Sequence, residues 1–230
     1  MAGDGTSGGC LFLRSPHARV QSPVSDSRSL RRHLRSLRRA LSPVEQRAHG
    51  RALASHLGRS RLLLNSRRVA LYLPADGEID TVPLLRLLRR LKRRCFLPVL
   101  RGAPHYALWF VEVRPGDRLK ANRFRILEPS IRRRKPAPAW GLDLILLPLV
   151  GFDGRGNRLG MGGGYYDRTL AFLRRRRHWR RPKLIGLAHE CQRVDELAAN
   201  PWDIPLDGVA TEAAIYRWQR SKAERGEPVW

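Results

Sequence analysis

Acidic residues are scarce in this 230-residue chain, where 20 Asp and Glu stand against 45 Lys and Arg, a formal net charge of +25. Cysteine is scarcer still: Cys10, Cys95 and Cys191 are far apart, and no C-x-x-C pair exists. This excludes a zinc knuckle and a disulfide framework and suits a reducing cytoplasm. Long apolar runs are missing too. None nears the roughly 18 residues of a membrane-spanning helix, so no membrane partner is expected. Leu11-Phe12-Leu13 is too brief for the apolar stretch of a secretory signal, and Asp4 and Asp26 argue against an organelle transit peptide. No segment recurs at a fixed period, which excludes a solenoid or propeller. The seven histidines fall at no ligand spacing, and His189 reads as structural.

The basic excess has two readings. A surplus of Lys and Arg confers affinity for any phosphate polymer. Here the arginines are scattered along the chain rather than gathered on one element, which is the pattern of a solvated surface. Net charge speaks to solubility and non-specific binding, not to the reaction. The run Arg174-Arg-Arg-Arg-His-Trp-Arg-Arg181 is the best nucleic-acid candidate, because it mixes cations with a stacking side chain. A solvated helix end and loop accounts for it more simply, so nucleic acid is a partner the sequence does not favour.

The hydrophobic content of 42% is enough for a sizeable core. Residues 1–26, rich in Gly, Ser and Pro, read as a disordered N-terminal extension. Residues 27–220 read as one domain and 221–230 as a flexible tail. Leu30, Leu34, Leu37 and Leu41 form one helical face among basic residues. Ser42-Pro43-Val44-Glu45 then starts a fresh helix: a capping serine, a proline at the first helical position and a glutamate completing the capping box. That helix is expected to reach Leu57, with Gly58 as its stop. Arg68–Leu73 reads as a buried strand ending at Pro74, and Leu84, Leu88 and Leu91 as a helix. Cys95–Val99 reads as the next strand, giving a strand–helix–strand unit that favours a parallel sheet. Tyr106–Val113 is expected as a further, edge strand and Leu142–Leu147 as a mid-sheet strand. A helix from about Tyr166 to Arg175 and a strand at Lys183–Ala188 follow. The alternation predicts an α/β fold: a single three-layer domain with a mostly parallel central sheet flanked by helices.

The densest chemical signal is Arg158-Leu-Gly-Met-Gly-Gly-Gly-Tyr-Tyr-Asp-Arg168, with glycines at 160, 162, 163 and 164. Glycine lets the backbone approach a ligand without a Cβ, and successive N–H groups in such a turn make a concave anion site. Flanking arginines can grip phosphate oxygens in pairs, and Asp167 could hold a magnesium ion riding on those phosphates. The segment is neither a Walker A loop, since no Gly-Lys-Ser/Thr follows, nor a dinucleotide fingerprint, since Tyr165 stands where the last glycine belongs. Two aromatics and a charged pair before a helix mark a shaped site rather than a plain turn.

Several blocks, in order, resemble the 5-formyltetrahydrofolate cyclo-ligase family, also called 5,10-methenyltetrahydrofolate synthetases. They are Arg38-Arg-Ala-Leu-Ser-Pro43, Leu71-Tyr-Leu-Pro-Ala-Asp-Gly-Glu-Ile-Asp-Thr81, Phe96-Leu-Pro-Val99 and Phe124-Arg-Ile-Leu-Glu-Pro129. Asp143–Asp153, the glycine loop and Trp202-Asp-Ile-Pro-Leu206 complete the set. The resemblance implies ATP-dependent closure of 5-formyltetrahydrofolate to 5,10-methenyltetrahydrofolate, with ADP, phosphate and Mg2+. In the family's outline the formyl oxygen attacks the γ-phosphate, and a folate nitrogen then closes the ring as phosphate leaves. Alignment and charge neutralisation are then the protein's main tasks.

The same resemblance implies roles by position. ATP contacts fall on Arg28, Arg31 and Arg32 of the first helix and on the loop: Arg158, Leu159, Gly160, Met161, Gly162, Gly163, Gly164, Tyr165 and Tyr166. Arg158 and Tyr166 are the implied catalytic residues, and Asp167 and Asp203 the implied magnesium carboxylates. Glu78, with Tyr72, Leu73 and Phe124, would contact the folate, which may carry a polyglutamate tail. Phe124 is expected to be partly buried. Ser27 and Gly163 stand where some members carry lysine, so phosphate binding would lean on backbone N–H groups, Arg158 and Arg168. A cytoplasmic monomer is the expected form. The alternative from another class is a basic RNA-binding module on the same fold without catalysis.

Overall fold

The computed structural model describes residues 26–132, 134–174, 181–198, 200 and 202–218. Most of the arginine run at 174–181 lies outside them, as do most of the N-terminal extension and the C-terminal tail. Among the described residues no helix is long and apolar enough to cross a membrane.

Helix α1 (Ser27–Ala40) is capped by the Asp26 carboxylate, which accepts from Arg28 N. Its leucine stripe packs as expected: Leu34 is buried in a cluster with Val150, Val194 and Leu197, and Leu30 and Leu37 pack against it. Helix α2 (Pro43–Gly58) has the predicted capping box, with Ser42 Oγ accepting from Glu45 N and the Glu45 carboxylate from Ser42 N. The short helix α3 (Arg61–Leu64), which the sequence reading missed, precedes strand β1 (Arg68–Ala70). Helix α4 (Val82–Arg90) then leads to β2 (Arg94–Leu100) and β3 (Leu108–Glu112).

A hairpin of β4 (Leu119–Ala121) and β5 (Leu127–Pro129) follows, and then β6 (Leu144–Pro148). A second hairpin, β7 (Gly151–Phe152) with β8 (Arg158–Leu159), carries the glycine loop to α5 (Tyr165–Leu170). Strands β9 (Lys183–Leu187), β10 (Gly208–Ala210) and β11 (Ile215–Arg217) complete the fold.

Seven strands form the main sheet in the order β11-β10-β9-β6-β1-β2-β3. β10, β9, β6, β1 and β2 run parallel, and β3 and β11 are antiparallel edges. Strand β6 is central, as its apolar run predicts, with Leu144, Ile145, Leu146 and Leu147 all at 0% exposure. A parallel strand covered on both faces has no water-facing side and so reads as continuously apolar. One core cluster joins the sheet to α2, α3 and α4, and another joins its opposite face to α5 and the 3-10 turns at Ala139–Gly141 and Ala171–Arg174. Each fully buried leucine contributes about 1.5–3 kcal/mol by leaving water.

Three expectations need correction. Sheet pairing of β1 stops at Ala70, not Leu73, because the chain turns away after Leu71 to build a loop at the sheet edge. The α-helix after the glycine loop is only six residues long and continues as 3-10 structure to Arg174. Strands β10 and β11 escaped notice because three-residue strands carry too little period-2 signal.

Candidate active site

Chain order reverses direction between β1 and β6: from β1 the sheet grows one way to β2, and from β6 the other way to β9. In open α/β sheets the crevice beyond the strand ends at such a switch point is where ligands sit. The loop after β1 carries Tyr72 to Thr81, and the segment after β6 carries residues 149–164. These two segments hold most of the sequence-implied site.

On the β1 side, Ala75 to Glu78 form a tight turn closed by Glu78 N donating to Ala75 O at 2.9 Å. Its carboxylate Oε2 also accepts from Ala75 N at 3.1 Å. Glu78 lines a cleft of about 540 Å3 shared with Pro74, Asp76, Gln46 and Arg47. Burial pushes its carboxyl up to about 7, against the lowering influence of Arg38 and the Ala75 N–H. Tyr72 is buried and its hydroxyl lacks a hydrogen-bond partner among the described residues. Burial and the nearby Glu78 carboxylate push the phenols of both Tyr72 and Tyr166 up, so all three groups share one neighbourhood. Leu73 is half-buried and packs against the core cluster under this loop.

On the β6 side, Val150 N donates to Leu159 O at 2.7 Å, closing the hairpin base. The hairpin tip is organised by the buried Asp153 carboxylate, which accepts from Arg155 N, Asn157 N and Leu197 N. Leu159 points into the Leu34 cluster, so it anchors the loop and its side chain is withdrawn from the ligand side. Beyond it, Gly160, Met161, Gly162 and Gly163 are exposed. Gly162 and Gly164 adopt φ of 90° and 62°, values that L side chains strongly disfavour.

The Arg158 guanidinium pairs with the Asp167 carboxylate and also donates to the carbonyl of Ile204, next to Asp203. One guanidinium therefore ties the Asp167 carboxylate to the backbone beside Asp203. The Asp203 carboxylate itself accepts from Asn200 N at 2.9 Å and Asn200 Nδ2 at 3.2 Å. Arg168 spans back to the carbonyls of Gly163 and Tyr106, and its guanidinium lies 5.4 Å from the Tyr165 ring centroid. It braces the loop.

Other elements reach the loop from outside the switch point. Arg31 Nε donates to Gly160 O at 2.7 Å, which brings α1 to the glycines. Arg28 and Arg32 are exposed on the same helix. The tip of the β4–β5 hairpin folds over Tyr165: Phe124 packs edge-on to its ring at 6.5 Å, and Arg123 donates to its hydroxyl. Phe124 is 55% exposed, not partly buried as expected. An exposed phenylalanine beside the loop is free to cover a flat ligand ring.

His189 is fully buried, and burial with the neighbouring His49 pushes its imidazole down to about 3. Its Nδ1 lies 2.9 Å from His49 Nδ1, which in turn is 3.6 Å from Glu212 Oε1. Tetrahedral zinc ligands at about 2.0–2.1 Å stand roughly 3.3 Å apart. The two nitrogens are closer than that, at the spacing of a shared proton, and the two imidazoles are a hydrogen-bonded pair with the Glu212 carboxylate beside it.

Sequence reasoning assigned no role to Arg38 and Asp76. The Asp76 carboxylate accepts from Arg35, Arg38 and Arg39, which overcome the effect of burial and hold it down to about 2. The available signal was position: Arg38 falls four residues after Leu34, on the apolar stripe.

Comparisons with known proteins agree with this architecture. The sequence model of the 5-formyltetrahydrofolate cyclo-ligase family matches residues 23–212. The chain is 40% identical over 187 residues to the 5-formyltetrahydrofolate cyclo-ligase of Escherichia coli (strain K12), covering 80% of this chain and 100% of that protein. It is 36% identical over 179 residues to the enzyme of that name from Haemophilus influenzae, covering 77% and 92%. Among solved structures, the NMR structure of Aquifex aeolicus 5,10-methenyltetrahydrofolate synthetase superimposes with a TM-score of 0.71 at 31% identity, covering 85% of this chain and 95% of that one. A 5,10-methenyltetrahydrofolate synthetase from Mycoplasma pneumoniae gives a TM-score of 0.64 at 26% identity, covering 82% and 99%.

Proposed function

The chain belongs to the 5-formyltetrahydrofolate cyclo-ligase family and catalyses that family's ATP-dependent cyclisation of 5-formyltetrahydrofolate to 5,10-methenyltetrahydrofolate, and from this we propose how its residues divide the work. The observation that supports the division is the switch point itself: the Glu78 turn follows β1, and the segment carrying the glycine loop follows β6, its neighbour in the sheet.

In this reading the loop amides at 160–164, Arg158 and Arg31 receive the ATP phosphates, and Arg28 and Arg32 add positive potential at the rim. Glu78 accepts hydrogen bonds from the pterin, Tyr72, Leu73 and Tyr166 shape the pocket, and Phe124 covers its open side. Tyr166 stands between the two halves, since it neighbours Glu78 and follows directly on the loop. Arg158 neutralises charge as the formyl oxygen meets the γ-phosphate.

The donor set around Arg158 suits magnesium, which binds through one or two carboxylates together with substrate phosphates. Asp167 and Asp203 would hold it, and bound there it would neutralise charge on the transferring phosphoryl group. The basic surface would draw in ATP and polyglutamylated folate by long-range steering. A cytoplasmic monomer fits the separated cysteines and the reaction.

The test is formation of methenyl product, followed by absorbance, from 5-formyltetrahydrofolate, ATP and Mg2+. Asp167→Ala is expected to remove turnover and Glu78→Gln to weaken folate binding; wild-type behaviour of both variants would sink this division of roles.

A further inference from the structure

Helix α1 places an arginine where its apolar stripe calls for a leucine. Arg38 follows Leu34 by one helical turn and, like it, is 0% exposed. A buried guanidinium is tolerated only when paired and hydrogen-bonded. Its Nε donates to Asp76 O at 2.9 Å, its Nη2 to Asp76 Oδ2 at 2.7 Å and its Nη1 to Leu149 O at 3.2 Å.

These acceptors belong to two different loops. Asp76 lies in the turn that presents Glu78, and Leu149 lies just past the end of β6, before the hairpin that carries the glycine loop. One side chain therefore spans the switch point. The contact is tight on the backbone side as well: a Cβ on Gly77 would stand 3.1 Å from Arg38 O. From α2, Gln46 Nε2 donates to both Arg38 O and Gly77 O at 3.2 Å.

We propose that Arg38 is a positioning residue for the cyclo-ligase reaction, clamping the Asp76–Glu78 turn to the end of β6 and so setting the Glu78 carboxylate against the nucleotide loop. The proposal rests on the reading of Glu78 as a folate contact. Neutralising Asp76 does not require Arg38, because Arg35 and Arg39 already pair with that carboxylate. What Arg38 adds is the bridge to Leu149 O and the hold on the left-handed Asp76, whose φ is 53°. A planar fork can satisfy three acceptors at fixed angles, and a lysine ammonium cannot. Arg38 also acts on Glu78 through its charge. The groups facing that carboxyl are Tyr72, Tyr166, Asp76 and Arg38, with Arg47 of α2 across the cleft, and the Arg38 charge favours the carboxylate against burial.

Arg38→Met is a fair test because two of its three acceptors keep a partner: Leu149 O keeps Gln192 Nε2 at 2.9 Å, and the Asp76 carboxylate keeps Arg35 and Arg39, while the Asp76 carbonyl gives up its bond to Arg38. The KM for 5-formyltetrahydrofolate is expected to rise about tenfold while that for ATP stays within about twofold. The midpoint of the pH dependence of the folate KM is expected to move upward. Arg38→Lys should return that midpoint toward wild type, because the charge is restored, but leave the folate KM high. A lower melting temperature with both quantities at wild-type values would reduce Arg38 to a structural residue and overturn the proposal. If Arg38→Met does not fold, Arg38→Lys and Asp76→Asn are judged on the same two quantities. Glu78→Gln measured in parallel separates the claims. An unchanged folate KM there removes the role of Glu78 itself, whereas a raised one beside a normal Arg38→Met removes only the positioning role.

Discussion

Arg158 and Asp167 hold one another across the glycine loop, in an ion pair whose arginine side chain is only 7% exposed. Sequence position had given them opposite duties, one for phosphate and one for metal. Without ligands each neutralises the other. Phosphate oxygens would compete for the guanidinium and release the carboxylate, so nucleotide and cation are expected to bind together.

Magnesium should therefore bind weakly to the free protein and about tenfold or more tightly once ATP is present, by the reciprocity of coupled binding. Calorimetric titration of Mg2+ with and without a non-hydrolysable ATP analogue checks this. Equal affinities in the two titrations would contradict it.

Asp167→Ala is expected to lower kcat by roughly a hundredfold or more, because it removes a carboxylate proposed to act on the transferring phosphoryl group. Circular dichroism should stay at wild type, since Asp167 is half-buried at the start of a six-residue helix and Arg158 keeps its bond to the Ile204 carbonyl when the ion pair is lost.

The folate KM should rise as pH falls below about 7, where the Glu78 carboxyl takes up its proton. Glu78→Gln should flatten this profile. Stability runs the opposite way: a carboxyl raised from 4.5 to about 7 contributes stability below 4.5 that is lost as pH rises through 7. Glu78→Gln should then melt higher than wild type at pH 8, by on the order of 1–2 kcal/mol after screening, with a smaller difference at pH 4.

His189, pushed down from 6.5 to about 3, works in the other direction. The unfolded chain takes up a proton on this imidazole before the folded one does. Stability present above pH 6.5 is therefore lost as pH falls toward 3, by roughly 1–2 kcal/mol at pH 5. Chemical denaturation at pH 7 and pH 5 measures it, and His189→Gln should shrink the difference between the two.

Phe124→Ala should raise the folate KM several-fold and leave stability within about 0.5 kcal/mol, because an exposed side chain on a hairpin tip supports little packing. Ser42→Ala provides the opposite control: loss of the cap on α2 should cost about 1 kcal/mol in stability and leave both KM values unchanged.

Helices α1 and α2 and strand β6 were legible because each advertises itself locally. The leucines three and four apart, the Ser42–Glu45 box and the run Leu144–Leu147 are one-dimensional patterns with one economical reading. Strands β10 and β11 were not, since three residues apiece cannot display a period. The glycine loop could be picked out as a candidate from residue type and spacing, and Glu78 from the family resemblance. Their convergence on one switch point could not, because it depends on the strand order β6-β1-β2.

By itself, then, the sequence determined the alternating α/β plan, the family and the list of chemically suited residues, since local propensity and motif identity are properties of short segments. Tertiary structure decided which of those residues meet. It joined Arg158 to Asp167, set Phe124 over Tyr165, and made Arg38 the buried link between Asp76 and Leu149. Those pairings come from chain segments up to 111 positions apart, and only packing around a shared sheet brings such segments within hydrogen-bond range.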